Sequence, residues 1–312
     1  MGDDQPVTIT ALRSPRKDLH PVSSSAPAAG RLSLYASLLR LDKPVGTLLL
    51  LWPTLTALWI ASSGRPALGL VVVFVIGTFL MRSAGCAIND AADFRYDAQV
   101  KRTAQRVVAQ GLISPREAVA VSTLLAGLSA LLLLFLNDEA MRLAIAAVAI
   151  AATYPLFKRF FPVPQLYLGV AFSFGIPMAF AAVQGEVPMV GWWLFFANNF
   201  WVVAYDTEYA MVDRDDDLRV GIKSSAVFFG RADVAVTMAC YGAYLSLLLL
   251  LGNAIDARWP YYLGCGIAFG FALYHYMLIR TRTREGCFRA FRHNNWVGFA
   301  VFAGTALDYA LR

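Results

Sequence analysis

From about residue 45 onward the chain reads as apolar runs of roughly 17 to 20 residues, the length a helix needs to cross hydrocarbon, separated by short polar connections. Nine such runs are predicted to be transmembrane helices, at 45–61, 69–88, 117–136, 141–157, 166–183, 190–209, 235–252, 261–279 and 295–310. The runs are continuous. A lipid-embedded β-barrel would instead alternate apolar and polar positions, so the fold class expected is all-α integral membrane. One membrane domain, 34–312, follows a tail, 1–33. Its acids Asp3, Asp4 and Asp18 and its Ser-Ala-Pro-Gly stretch, with no apolar core of signal-peptide length, predict a disordered cytoplasmic segment.

Composition agrees with a lipid solvent, at 58% hydrophobic and 15% charged residues. The net charge of +6 gains meaning from its distribution. With nine spans, Lys and Arg gather before the first helix and in the connections 95–116, 158–159, 214–231 and 280–293. The other side holds only Arg65, Arg142, Arg258 and Arg312. The positive-inside rule then places the N-terminus and the four long basic connections in the cytoplasm, and the basic surplus reports topology and no nucleic-acid partner. Cys86, Cys240, Cys265 and Cys287 lack paired spacing, and His20, His275 and His293 are scattered, so neither a disulfide framework nor a zinc site is indicated.

The second and sixth runs both pass from membrane into acids. One ends Asn89-Asp90-x-x-Asp93-x-x-x-Asp97, the other Tyr205-Asp206 through Asp213-Arg214-Asp215-Asp216-Asp217. Each is followed by a basic residue with a hydroxyl neighbour (Arg102-Thr103, Lys223-Ser224), then a glycine (Gly111, Gly230). This is a repeat four helices long. Because four is even, both halves share one orientation, leaving a ninth helix over, and both acidic ends reach the same cytoplasmic face.

On a helix, Asn89, Asp90, Asp93 and Asp97 form one stripe, and Asp206, Asp213 and Asp217 a second. Asp215 and Asp216 fall off it and are expected to be solvated. Carboxylates near hydrocarbon are costly, so something must offset them. Mg2+ is hard, prefers oxygen, and binds through one or two carboxylates together with phosphate and water. Two facing stripes would hold such ions around a diphosphate, with Lys101, Arg102 and Lys223 as candidate cations for its oxygens.

These motifs, with Leu41-Asp42-Lys43-Pro44-Val45-Gly46, Val100-Lys101-Arg102-Thr103, Tyr154-Pro155-Leu156-Phe157-Lys158-Arg159 and Gly221-Ile222-Lys223-Ser224, resemble the UbiA superfamily of intramembrane prenyltransferases over roughly residues 38–310. The long second motif is similar to that of its bacterial hydroxybenzoate-using members. The resemblance implies a nine-helix bundle with a central cavity open to the cytoplasm in a bacterial inner membrane. It also implies Mg2+ dependence, a polyprenyl diphosphate donor, 4-hydroxybenzoate as acceptor, and a place in ubiquinone biosynthesis. Asp93, Asp97, Asp213 and Asp217 would carry catalysis, and Arg159, with Tyr154, Tyr205 and Asp206, would hold the aromatic acid.

Phe94, Tyr154, Trp201 and Tyr205 sit near the motif ends, where aromatic faces could support an allylic cation. Two rival readings are a sister enzyme with another acceptor and a transporter built from parallel repeats. A transporter's acids should lie near the bilayer midplane, and these cluster at one face.

Overall fold

The computed structural model describes residues 30–157 and 160–312, and within these all regular structure is helical. The helices are α1 (Arg31–Leu38), α2 (Val45–Ala61), α3 (Leu68–Asp97), α4 (Pro115–Leu132), α5 (Asp138–Phe157) and α6 (Pro164–Ser173). They continue with α7 (Gly175–Gln184), α8 (Met189–Val220), α9 (Ser225–Phe229), α10 (Asp233–Ala254), α11 (Trp259–Ile279) and α12 (Arg284–Ala310). Each apolar run falls on helix. Among the described residues, five helical stretches are long and apolar enough to cross a membrane: Leu68–Asp97, Pro115–Phe135, Pro164–Gln184, Ser225–Ala254 and Trp259–Ile279, with Val45–Ala61 apolar but shorter.

Two departures from the sequence reading have local causes. The expected tail lies outside the described residues up to residue 29, but α1 already begins at Arg31, within it. One face of this short helix seats Leu38, fully buried, in a cluster with Ala87, Val107, Val108 and Ile113. The run at 166–183 is two helices, α6 and α7, broken at Phe174. Pro177 has no N–H to give to the Ser173 carbonyl one turn back, so the ladder is interrupted there. Gly175 just beyond lies so close to α2 that a Cβ would meet Thr54 Oγ1 at 2.3 Å.

Packing follows lipid logic, with small residues where helices approach and large apolar ones outward. Gly264 of α11 and Gly304 of α12 leave room for each other's backbone, since a Cβ on Gly264 would sit 2.6 Å from the Ala300 carbonyl. Leu124, Leu128 and Leu131 of α4 and Val72, Ile76 and Phe79 of α3 are exposed. Trp201, Tyr205, Tyr241, Tyr261 and Phe180 fill the interior.

The two longest helices, α3 and α8, at 30 and 32 residues, run past the apolar part of their sequences and carry the acids in their last turns. α8 stops at Gly221, whose φ of 77° closes the helix in the left-handed conformation glycine tolerates. The segments that follow restart under side-chain caps: Ser114 accepts from Glu117 N at α4, and Ser224 from Val227 N at α9. A cleft of about 430 Å3 lined by Ile60, Gln184, Ile255, Asp256 and Arg312 lies at the end of the bundle remote from the acids.

Candidate active site

The last turns of α3 place Asp90, Asp93 and Asp97 on one face, exposed by only 1%, 5% and 8%. They are disfavoured twice, by burial and by the negative pole of their helix's C-terminus. Arginines offset both. Arg40 Nη2 lies 2.9 and 2.7 Å from the two oxygens of Asp90. Arg106 Nη1 spans Asp90 at 3.1 Å and Asp97 at 2.8 Å. Arg40 reaches its partner from a left-handed backbone (φ 57°) just after α1, a conformation strained for any residue with a Cβ. Thr103 Oγ1 donates to the Asp97 carbonyl at 2.9 Å and holds the connection 98–114 against the helix end.

That connection then crosses to α8. Arg102 Nε donates to both oxygens of Asp213 at 3.0 and 2.9 Å, Nη1 bonds the Tyr209 hydroxyl, and the guanidinium sits 4.2 Å over the Tyr209 ring. Burial works against the Arg102 charge, but Tyr209 and Asp213 outweigh it and hold its pKa above the ordinary arginine value. Tyr209 is itself fixed by stacking on Phe291 of α12 at 4.3 Å. Asp213 and Asp217 are 7% and 8% exposed. One arginine therefore joins the acids of α8 to the loop that clasps the acids of α3.

Deeper in the bundle, Tyr154 of α5 and Tyr205 of α8 both lie within electrostatic reach of Asp206 and of Arg82 on α3. Tyr205 is 1% exposed, and among the described residues its hydroxyl has no hydrogen-bond partner, the kind of orphan a substrate atom can satisfy. Arg82 was missed by the sequence reading, although it precedes Asn89 by two helical turns and so shares its face. It lies directly over Gly46, where a Cβ would be 2.5 Å from Arg82 Nη2, which gives the glycine of the Lys43-Pro44-Val45-Gly46 stretch a steric reason.

Residues 50–299 match the model of the UbiA prenyltransferase family. The chain belongs to that family. A 4-hydroxybenzoate octaprenyltransferase from Cupriavidus necator is 60% identical over 282 residues, covering 90% of this chain and 99% of that protein. One from Burkholderia mallei is 58% identical over 281 residues, covering 90% and 98%. Among solved structures, a UbiA homologue from Aeropyrum pernix K1 superposes with a TM-score of 0.72 at 24% identity, covering 83% of this chain and 97% of its own. A homologue from Archaeoglobus fulgidus, bound to GPP and Mg2+, gives 0.66 at 18%, covering 86% and 99%. At these identities the structural likeness speaks for the fold.

Within this UbiA fold the predicted residues separate into groups. Asp90, Asp97, Asp213 and Arg102 are drawn together with Arg40 and Arg106 at one end. Asn89 is half-buried on the same α3 turn, while Tyr154, Tyr205 and Asp206 form the deeper cluster. Lys101 is exposed, and Lys223 Nζ instead donates to the Phe160 carbonyl at 2.8 Å. Arg159, with Lys158, lies outside the described residues. Asp215 is 80% exposed as expected, but the expectation of a solvated Asp216 is wrong. Asp216 is 1% exposed and pairs with Arg219 and, at 3.0 Å, with Arg284. Its face of α8 points off the stripe but toward the first turn of α12, not toward water. Asp233, also overlooked, is fully buried between Arg282 at 2.8 Å and Arg214 at 3.4 Å.

Among the described residues, no three His, Cys, Asp or Glu side chains converge to hold a metal by themselves. The donor chemistry fits a hard cation held by one or two carboxylates from each stripe, with phosphate oxygens completing its shell.

Proposed function

We propose that the protein transfers a polyprenyl chain from its diphosphate to 4-hydroxybenzoate, at the ring carbon ortho to the phenol, as a step of ubiquinone biosynthesis. The observation that carries the site is a pair of buried acid stripes held by one loop, whose Arg102 grips Asp213 of α8 and whose Arg106 grips Asp97 of α3. The acceptor and donor classes come from relatives that are 58–60% identical over 90% of the chain. The octaprenyl diphosphate implied by their names is the first donor to assay.

Asp93, Asp97, Asp213 and Asp217, with Asn89 and Asp90 beside them, would hold Mg2+, which when bound stabilises negative charge growing on the departing diphosphate. Arg102, with Lys101 and Lys223 at the rim, would pair with diphosphate oxygens, and Arg102 already stands where the two stripes join. The carbon–oxygen bond to the diphosphate breaks to leave an allylic cation. The acceptor's ring carbon bonds to that cation, and loss of its proton restores aromaticity. Arg82, the cation set among Tyr154, Tyr205 and Asp206, is assigned to the acceptor's carboxylate alongside Arg159, because a guanidinium can grip a carboxylate with two parallel bonds. The unpaired Tyr205 hydroxyl is a further donor for it. The bundle spans the bacterial inner membrane nine times, with the acidic end and its cavity opening to the cytoplasm.

The test is product formation in membranes containing the protein, given 4-hydroxybenzoate, octaprenyl diphosphate and Mg2+. Prenylated acid should appear, vanish with a chelator and return with added Mg2+. Product from a naphthoate or homogentisate in place of 4-hydroxybenzoate would assign a sister activity.

A further inference from the structure

On the face of α8 turned away from the acid stripe, a carboxyl group is sealed among four helices. Glu208 follows Asp206 by two residues, about 200° round the helix, and is 0% exposed. Its Oε2 accepts from Asn294 Nδ2 of α12 at 2.8 Å, and its Oε1 lies 3.0 Å from the Tyr241 hydroxyl of α10. That hydroxyl is also 2.8 Å from Asn294 Oδ1 and 2.8 Å from His275 Nδ1 of α11. His275 Nε2 in turn meets His293 Nδ1 at 3.0 Å. Among the described residues the basic group within ion-pair range of Glu208 is His275, at 3.6 Å. No lysine or arginine pairs with it there.

The hydrogens in this cluster can be counted. Asn294 has a fixed orientation, because Nδ2 serves Glu208 and the Ala290 carbonyl while Oδ1 receives Trp201 Nε1 at 2.8 Å. Asn294 Oδ1 can only accept, so it takes the single hydrogen of Tyr241. Glu208 Oε1 then faces a hydroxyl oxygen with no hydrogen left to give. The hydrogen in that contact must belong to the carboxyl. His275 completes the set by donating Nδ1–H to Tyr241 and accepting at Nε2 from His293 Nδ1–H, and every contact then has one donor and one acceptor. The charged alternative, a carboxylate beside an imidazolium, fails this count: Tyr241 would have to leave either Glu208 or Asn294 opposed to it, oxygen against oxygen, without a hydrogen between.

We propose that Glu208 is a neutral, proton-bearing acid that locks the rotation of α8 against α10, α11 and α12, a positioning residue for Asp206, Asp213 and Asp217 on the opposite face. The protonation follows from the hydrogen count alone. The positioning role rests on the active-site reading given above.

Glu208→Gln tests it directly, since the amide can donate to Tyr241 and accept from Asn294 as the acid does. Turnover within about two-fold of wild type is expected, with Mg2+ requirement and donor KM unchanged. Glu208→Leu, which strands Tyr241 and the Asn294 amide, should lose about ten-fold or more and raise the Mg2+ requirement. Infrared difference spectra of wild type against Glu208→Gln should show a protonated carboxyl band that shifts in D2O and is missing from the variant. A Glu208→Gln protein that fails to fold, or folds but is as inactive as Asp213→Ala, would overturn the proposal, as would absence of that band. If instead Asp213→Ala and Asp217→Ala proved active, the site reading would fall while the infrared result still decided the proton.

Discussion

Replacing Asp216 with alanine removes a buried carboxylate reached by Arg219, one turn further along α8, and by Arg284 at the start of α12, 3.0 Å away. Hydrogen bonds to charged groups contribute roughly 1.5–3 kcal/mol each when buried. Arg219 is 72% exposed, so its share belongs to the surface class of about 0–1 kcal/mol, and Arg284, 33% exposed, recovers part of its loss from water. A net cost of about 1–2 kcal/mol remains, a few degrees of Tm on the soluble-domain scale. Because Asp217 is the next residue, loosening this tie should also lower turnover, by up to about ten-fold. Thermal inactivation and product formation of detergent-purified protein measure both. Arg284→Ala should behave like Asp216→Ala, and the double variant should be little worse than either, since both remove the same pair. Asp215→Ala, at an exposed position, is the control. If Asp216→Ala matches Asp215→Ala in stability and turnover, the buried tie carries nothing and the reasoning fails.

Arg102→Ala is expected to depress kcat/KM for the donor more than Arg102→Lys, because lysine keeps the charge but loses the fork on Asp213 and the stacking on Tyr209; full activity in Arg102→Lys would point to simple charge, and equal losses would show that the charge contributes nothing. Arg82→Ala should raise the acceptor's KM about ten- to a hundred-fold with donor KM unchanged, on the scale of a charged hydrogen bond. Gly46→Ala, which displaces the same guanidinium, should move that constant in the same direction. A change confined to donor KM would place Arg82 with the diphosphate and return the carboxylate to Arg159. Cysteine probes in 95–116, 214–231 and 280–293 should react only from the cytoplasm, and labelling of 214–231 from outside would overturn the topology.

Apolar runs and acid stripes were legible because each depends on spacing along one helix. The 17–20-residue runs announce themselves by length, and i, i+3, i+7 carboxylates share a face wherever the helix lies. What spacing does not encode is the neighbour. Helical spacing sets Asp216 off the stripe but cannot show that it is buried, since only the fold brings Arg284 of α12 to it. α1 escaped notice because eight residues are too few for a span, and its burial depends on the distant Val107 and Ile113. Arg82 is hidden for the opposite reason: it lies inside an apolar run, where the pattern marks a membrane span and not a site. Glu208 lies between Asp206 and Asp213 in the second motif, but nothing in the sequence distinguishes a carboxyl that binds ligand from one that anchors the back of its helix.

Whether the two acid stripes act together on one metal–diphosphate group is decided by Mg2+ titration of product formation in Asp93→Ala, Asp97→Ala, Asp213→Ala and Asp217→Ala. Each should insert and extract normally yet lose nearly all turnover at every Mg2+ concentration, and Asp97→Ala combined with Asp213→Ala should be no worse than either alone, because residues acting as a unit are not additive. Wild-type activity in any two of the single variants, or losses from the two stripes that simply multiply, would contradict it.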